Sequence, residues 1–264
     1  MANINTALDD LVAAYRRREL AGMLGWQDVK QRYRRSKIGP FWLTISMGVT
    51  VATIGIVFGS IFGSPMQEYL PFLACGLILW GFISSTLTDG CHGFIGADAV
   101  IKQLPIPLAT HICRVMWRNI IMLGHNIVIL PVVFLVFLKP PSWSIFLVVP
   151  GLLLLFANLA WVCLVLATFC ARYRDIPQII SSVLQVCFYV TPIMWMPSQM
   201  KHPTAAAFME LNPIFHLLEI VRAPILGTLP TLTNWGVALG LACVGWIATL
   251  AFFGRYKHRI AYWL

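Results

Sequence analysis

The sequence predicts an all-α integral membrane protein with six transmembrane helices, amphipathic interfacial helices before the first span, and short re-entrant helices on the outer side between spans five and six. Composition is the first reason: 59% of the 264 residues are hydrophobic and 11% charged, against about 45–50% and about 25% in soluble domains. The second is that the apolar residues come in uninterrupted blocks. A span needs about 20 apolar residues to cross about 30 Å of hydrocarbon. Six charge-free runs of that order occur: Phe41–Ile61, Tyr69–Thr88, Ile120–Leu138, Ser144–Cys170, Ile176–Met196 and Trp235–Phe253. Their length and lack of alternation select helices over barrel strands, because backbone polar groups in lipid must be satisfied within the segment.

Basic residues give the orientation. Eight precede Phe41, and Lys102, Arg114, Arg118, Arg172, Arg174, Arg255, Lys257 and Arg259 fall on the same side, which makes sixteen of the nineteen. The other side holds Lys139, Lys201 and Arg222. The positive-inside rule therefore puts both termini in the cytoplasm, and the net charge of +9 is a topology signal that calls for no nucleic acid. Residues 1–38 carry no apolar core of signal-peptide length. Seven cysteines, an odd number without a C-x-x-C pair, suggest neither a disulfide framework nor a metal site.

Residues 1–38 read as cytoplasmic and 39–264 as the six-span domain. Thr6 and Asp9 have capping-box spacing, and Leu8, Leu11, Val12 and Tyr15 follow at helical intervals, the pattern of an interfacial helix. A basic stretch with Lys30, Arg32, Arg34, Arg35 and Lys37 then leads to Gly39-Pro40. Its charges serve either as topological anchors or as ligands of a lipid phosphate. In the first span Gly55, Gly59 and Gly63 form a double G-x-x-x-G, which permits close contact with another span or a second copy. Between spans two and three, residues 97–104 have room for two helical turns before Pro105 and Pro107 stop them. His111, Arg114 and Arg118 share one face at the start of the third span, whose first turns project below the hydrocarbon if the helix runs from Leu108; snorkelling or structural pairing explains them.

On the fifth span Gln178, Ser181, Ser182, Gln185, Phe188, Tyr189, Pro192, Trp195 and Met196 share one face, grading from polar to aromatic. Such a stripe suits a sugar polymer, which offers hydroxyls to Gln and Ser and C–H faces to aromatic rings; ordinary helix packing with an aromatic belt produces the same pattern. Residues 198–230 are too apolar for a solvated loop and are cut by Pro203, Pro213 and Pro224, so short outer helices packed on protein are expected. No lysine sits in a G-x-x-x-x-G-K-[ST] phosphate loop, and neither H-E-x-x-H nor G-x-S-x-G occurs. Asp89, Asp98 and Asp175 lie at span ends or in a loop, which counts against a proton-coupled carrier.

The run Arg32-Tyr33-Arg34-Arg35-Ser36-Lys37-Ile38-Gly39-Pro40-Phe41-Trp42, the loop Ala97–Pro105, and Leu211-Asn212-Pro213 followed by Glu219, Arg222 and Gly227 resemble the permease subunits of bacterial polysaccharide exporters of the ABC-2 type, especially O-antigen permeases. The likeness covers essentially the whole chain. It implies a transport subunit that is not an enzyme, works as a pair, and is driven by two separate cytoplasmic ATPase chains that bind ATP and Mg. The implied cargo is a polysaccharide on undecaprenyl diphosphate, moved across the inner membrane. Asp98, Ile101, Lys102 and Leu104 would then belong to a coupling helix, and Arg32, Arg34, Arg35 and Lys37 to a gate near the lipid phosphate. The first and fifth spans would wall the channel, with Phe41, Trp42, Gln178, Ser181, Gln185, Phe188, Tyr189 and Trp195 along it and Phe215 as an outer aromatic. Capsule, teichoic acid or a small amphiphile are rival cargoes, and a membrane enzyme acting on lipid-linked sugars is the rival class.

Overall fold

The computed structural model describes residues 4–34, 39, 41–140, 142–199 and 209–264, and no strand occurs among them. In chain order the helices are α1 (Ile4–Arg16), α2 (Arg18–Tyr33), α3 (Phe41–Phe62), α4 (Met66–Cys91), α5 (Asp98–Gln103), α6 (Leu108–Ile127), α7 (Ile129–Val136), α8 (Val148–Arg172), α9 (Ile176–Val190), α10 (Pro213–Ile225) and α11 (Leu232–Trp263). Five stretches are long and apolar enough to cross a membrane: Phe41–Phe62, Met66–Cys91, Leu108–Val136, Trp143–Arg172 and Leu232–Trp263.

The remaining expected span departs from the sequence reading. A helix over Ile176–Met196 was the expectation, but α9 stops at Val190 after 15 residues, which at 1.5 Å per residue is about 22 Å and short of the hydrocarbon thickness. The cause is Pro192. It lacks a backbone N–H and pushes the preceding Thr191 into an extended conformation, ψ 136°. Proline also explains the break between α6 and α7, since Pro131 cannot donate to the Ile127 carbonyl four residues back.

α4 is the centre of the bundle. Of its apolar window 72% is buried, against 17% for α3, and it packs against α3, α6, α7, α8, α9 and α10. The glycines of α3 meet it within the same chain. A Cβ on Gly55 would lie 2.1 Å from Leu70, and one on Gly59 2.6 Å from Met66, so the small residues let α3 seat directly on α4. Gly63 does something else: with φ +60° it turns the chain at the end of α3.

α8 and α11 form the other tight pair. Asn158 Nδ2 donates to the carbonyls of Leu154 (2.9 Å) and Ala238 (3.1 Å), and Trp246 Nε1 donates to Ala157 O at 3.1 Å. Hydrogen bonds of this kind hold helices together where lipid supplies no hydrophobic drive.

Outer helices partly dipping into the membrane were expected over residues 198–230. The structure has a 3₁₀ turn at Pro197–Gln199; residues 200–208 lie outside the described residues. α10 then runs deep in the bundle, with Phe215, His216, Leu218, Ile220, Val221, Arg222, Ala223 and Pro224 buried. It packs on α4, α8 and α11. Pro213 begins it, the Asn212 side chain accepts from Ile214 N at 3.0 Å, and Gly227 (φ +88°) ends it. Gly227 N donates to Pro224 O and Thr228 N to Ala223 O, the paired bonds of a Schellman motif.

Candidate functional site

α1 carries the apolar stripe read from the sequence, but turns it outward. Ile4, Leu8, Val12 and Tyr15 are exposed, while Ala7, Asp10 and Ala14 face inward. An exposed apolar stripe beside Arg16, Arg17 and Arg18 is the composition of a helix lying in a headgroup region. The helix already includes Ile4, so Thr6 is no N-cap and the Thr6/Asp9 capping box is not its start.

Asp10 instead caps a different helix. Pro107, which precedes α6, supplies no side-chain cap. The buried Asp10 carboxylate accepts from Leu108 N (3.2 Å) and Ala109 N (2.8 Å), and pairs with Lys257 Nζ of α11 at 2.9 Å. A carboxylate on orphan N–H groups at the positive end of a helix dipole is doubly favourable. One residue thereby ties α1, α6 and α11 at the end of the bundle that carries both chain termini.

α2 is tied next to it. Arg114 of α6 grips Asp28 of α2 with Nε at 2.7 Å and Nη2 at 2.5 Å. Arg118 reaches Asp28 at 3.3 Å and Asp89 of α4 at 2.7 Å. Asn119 donates to Asp89 (2.9 Å) and accepts from Ser85 (2.9 Å). The result is a ladder of partly buried charges across α2, α6 and α4. It gives Arg114 and Arg118 structural pairing, the bland reading of those residues. His111, on the same face, is buried without a hydrogen-bond partner. Beyond the ladder, Tyr33 O–H donates to Met122 Sδ at 3.7 Å, and burial raises its phenol pKa above the ordinary value. Arg32 and Arg34 are exposed at the end of α2. Arg35 and Lys37 lie outside the described residues.

α5 follows a 3₁₀ turn at Ile95–Ala97, close to the expected bounds of 97–104. Lys102 Nζ pairs with Asp98 at 2.9 Å on its own helix, while Ile101 is half-buried and Leu104 is 52% exposed.

α9 and α3 leave most of their surface uncovered. On α9 Gln178, Ser181, Gln185 and Tyr189 are exposed, Phe188 is half-buried, and Leu184 alone is buried. Phe188 leans on Trp80 of α4, with ring centroids 5.8 Å apart, and edge-on to Tyr189 at 5.4 Å. The groove between α4 and α9 is open and about 360 Å³ in volume. Because α9 ends at Val190, Trp195 does not extend the stripe by helical spacing; it folds back and donates to Tyr189 O at 3.2 Å. Phe215 is buried in α10, edge-on to His216 at 5.4 Å, away from the groove. Phe41 and Trp42 are exposed at the start of α3, Phe41 against His125 at 5.9 Å.

The segment after α9 is held by protein groups. Asn212 Nδ2 donates to Thr191 Oγ1 (2.8 Å), Tyr69 O–H to Met194 O (2.6 Å), and Arg222 Nη1 to Pro192 O (2.5 Å). Arg222 is fully buried, bonded to Glu219 through Nε (3.0 Å) and Nη2 (2.6 Å), and its guanidinium stands 4.1 Å over the Phe72 ring. Glu219 and Arg222 stand at i, i+3 on one helix, which by itself accounts for their pairing. That Arg222 also closes onto the α9 break needed the Pro192 carbonyl, which no spacing reveals.

The ABC-2 type transporter family matches residues 19–226. The chain belongs to that family. It is similar to O-antigen export system permease proteins RfbA: 26% identical to one from Klebsiella pneumoniae over 89% of this chain and 91% of that protein. A second from Klebsiella pneumoniae is 23% identical over the same shares, and one from Myxococcus xanthus is 21% identical over 79% and 81%. This chain is a multi-pass membrane permease, a transport subunit whose ATP hydrolysis is done by a partner chain.

Proposed function

We propose that this permease moves O-antigen polysaccharide on an undecaprenyl diphosphate carrier across the bacterial inner membrane, as one of two permease copies driven by two copies of a cytoplasmic ATPase. The observation that carries the proposal is the match to O-antigen export permeases along nearly the full length of both chains. The uncovered polar and aromatic face of α9, beside an equally uncovered α3, supports it, because a polymer path between two copies needs such surfaces. In this reading α9 and the protein-packed segment after it cross the membrane together as the fifth of six spans, and the basic end with both termini is cytoplasmic. ATP and Mg are held by the partner chains. The path uses Phe41, Trp42, Gln178, Ser181, Gln185, Phe188, Tyr189 and Trp195, and leaves out Phe215, which is buried in α10. Arg32, Arg34, Arg35 and Lys37 receive the lipid phosphate, while Asp98, Ile101, Lys102 and Leu104 of α5 dock on the ATPase.

Deleting the gene should leave lipid-linked O-antigen accumulated on the cytoplasmic side, which radiolabelled sugar in the inner-membrane lipid fraction would reveal. Accumulation of capsule or teichoic acid precursor instead would reassign the cargo. For coupling, Leu104→Asp should keep the permease in the membrane but reduce export at least tenfold, since a charge set against an apolar docking contact costs more than about 1.4 kcal/mol. Normal export by that variant would remove α5 from the mechanism.

A further inference from the structure

We infer that the α4 stripe of Trp80, Ser84 and Thr88 is a third wall of the transport path, and that its groove against α9 seats a sugar ring of the passing polymer. The inference rests on the reading of the chain as a polysaccharide permease and adds α4 to a path so far assigned to α3 and α9.

Three observations lead there. Trp80, Ser84 and Thr88 stand at i, i+4 and i+8, one face of α4, and line the open groove opposite Ser181, Gln185 and Phe188. α4 is otherwise the most buried spanning helix, yet on this face Ser84 and Thr88 are only half-buried, while Trp80 is buried with its ring against Phe188. Two separate helices thus bring hydroxyl and amide groups to the same opening, although polar groups facing lipid are costly. Packing alone would have closed these groups against each other; instead Ser181 and Gln185 remain exposed.

The helices run antiparallel along this contact, and their chemistry is matched in register. Thr88 and Ser84 stand toward the Ser181 end, while Trp80 meets Phe188 at the other, their rings inclined at 49°. A pyranose ring is amphipathic: equatorial hydroxyls at its edge, C–H groups on its faces. Ser, Thr and Gln can each donate to and accept from hydroxyls, and the aromatic corner offers an apolar surface for the C–H face. Ser84 donates only a long bond, 3.3 Å, to Gly81 O, so its oxygen remains available as an acceptor.

The test uses the whole transporter in cells making their own lipid-linked polymer. The photo-crosslinker p-benzoylphenylalanine is placed at Ser84, Thr88 or Gln185, or at Leu153 on the exposed apolar face of α8, and glycan joined to the permease is detected by periodate staining. Labelling at Ser84, Thr88 and Gln185 but not Leu153 is expected. Labelling at Gln185 without Ser84 or Thr88 would overturn the α4 wall and leave the permease reading intact, and labelling at none of them would remove the groove altogether. If deletion of the gene left every lipid-linked polymer exported normally, the permease reading itself would fall. Independently, Ser84→Val with Thr88→Val should slow export about fivefold or more, the factor a lost hydrogen bond carries, with the same amount of permease recovered with its ATPase. Unchanged export would overturn the assignment.

Discussion

α4 and α9 are both apolar helices of this bundle, yet one is enclosed on nearly every side and the other touches its neighbours along a narrow strip. α4 meets six helices and α10 is sunk among α4, α8 and α11, whereas α9 rests mainly on α4. The enclosed region fixes the protomer; the uncovered one is left for what the protomer meets. The two should respond to substitution in opposite ways. The strongest way to break the comparison is Arg222→Met. It leaves Glu219 and the Pro192 carbonyl without their buried cation, and breaking a buried pair costs about 3–5 kcal/mol. Urea titration of the detergent-solubilised permease should register it, and a variant as stable as the parent would show that α10 does not hold the bundle.

A smaller effect compares two glycines of α11. A Cβ on Gly245 would lie 2.2 Å from the Trp161 indole of α8, while Gly240 has open space around it. Gly245→Ala forces the helices apart and should cost about 1–3 kcal/mol. Gly240→Ala should gain about 0.5–1 kcal/mol from helix propensity. Thermal melts of both variants, read side by side, check the sign as well as the size.

Asp10→Asn comes next. The amide oxygen can still accept from one N–H of α6, but the Lys257 pair and the charge at the helix dipole are lost, a cost of about 1–2 kcal/mol. Because Asp10 joins three helices, protease sensitivity of the segment before Phe41 should rise. An unchanged digestion pattern would mean α1 is held by its other contacts, the apolar ones and the Lys257 bond to Thr6 O.

Five of the six expected spans were legible in the sequence because hydrocarbon thickness imposes a length, and the close contact at Gly55 and Gly59 because it imposes small residues; Gly63 takes no part in that contact. The short helix α5 was legible too, bounded by Pro105. What escaped was non-local. Asp10 caps a helix about a hundred positions away because Pro107 gives that helix no cap of its own, and nothing in the N-terminal segment announces it. Asp28 carries no sequence signal of its own and Asp89 reads only as an acid at a span end, while α6 brings Arg114 and Arg118 between them. Pro192 was visible, but it was counted into the stripe of α9 when its missing N–H should have ended the helix. Trp195 was misplaced by that same step, since helical spacing no longer applies beyond Val190.

The smallest effect on the protomer is the most informative about α9. Ile179, Val183, Val186 and Val190 form an exposed apolar face next to its polar one. Val186→Ala removes apolar surface that nothing in the protomer covers, so it should change the stability of the solubilised single chain by less than about 0.5 kcal/mol. In the assembled transporter the same valine distinguishes two surroundings. If lipid covers that face, detergent-resistant assembly is unaffected; if the second permease copy packs there, the dimer should dissociate at lower detergent concentration. Loss of protomer stability in this variant would mean that α9 is held more tightly than its contacts indicate, and the contrast with α4 would fail at its weaker end.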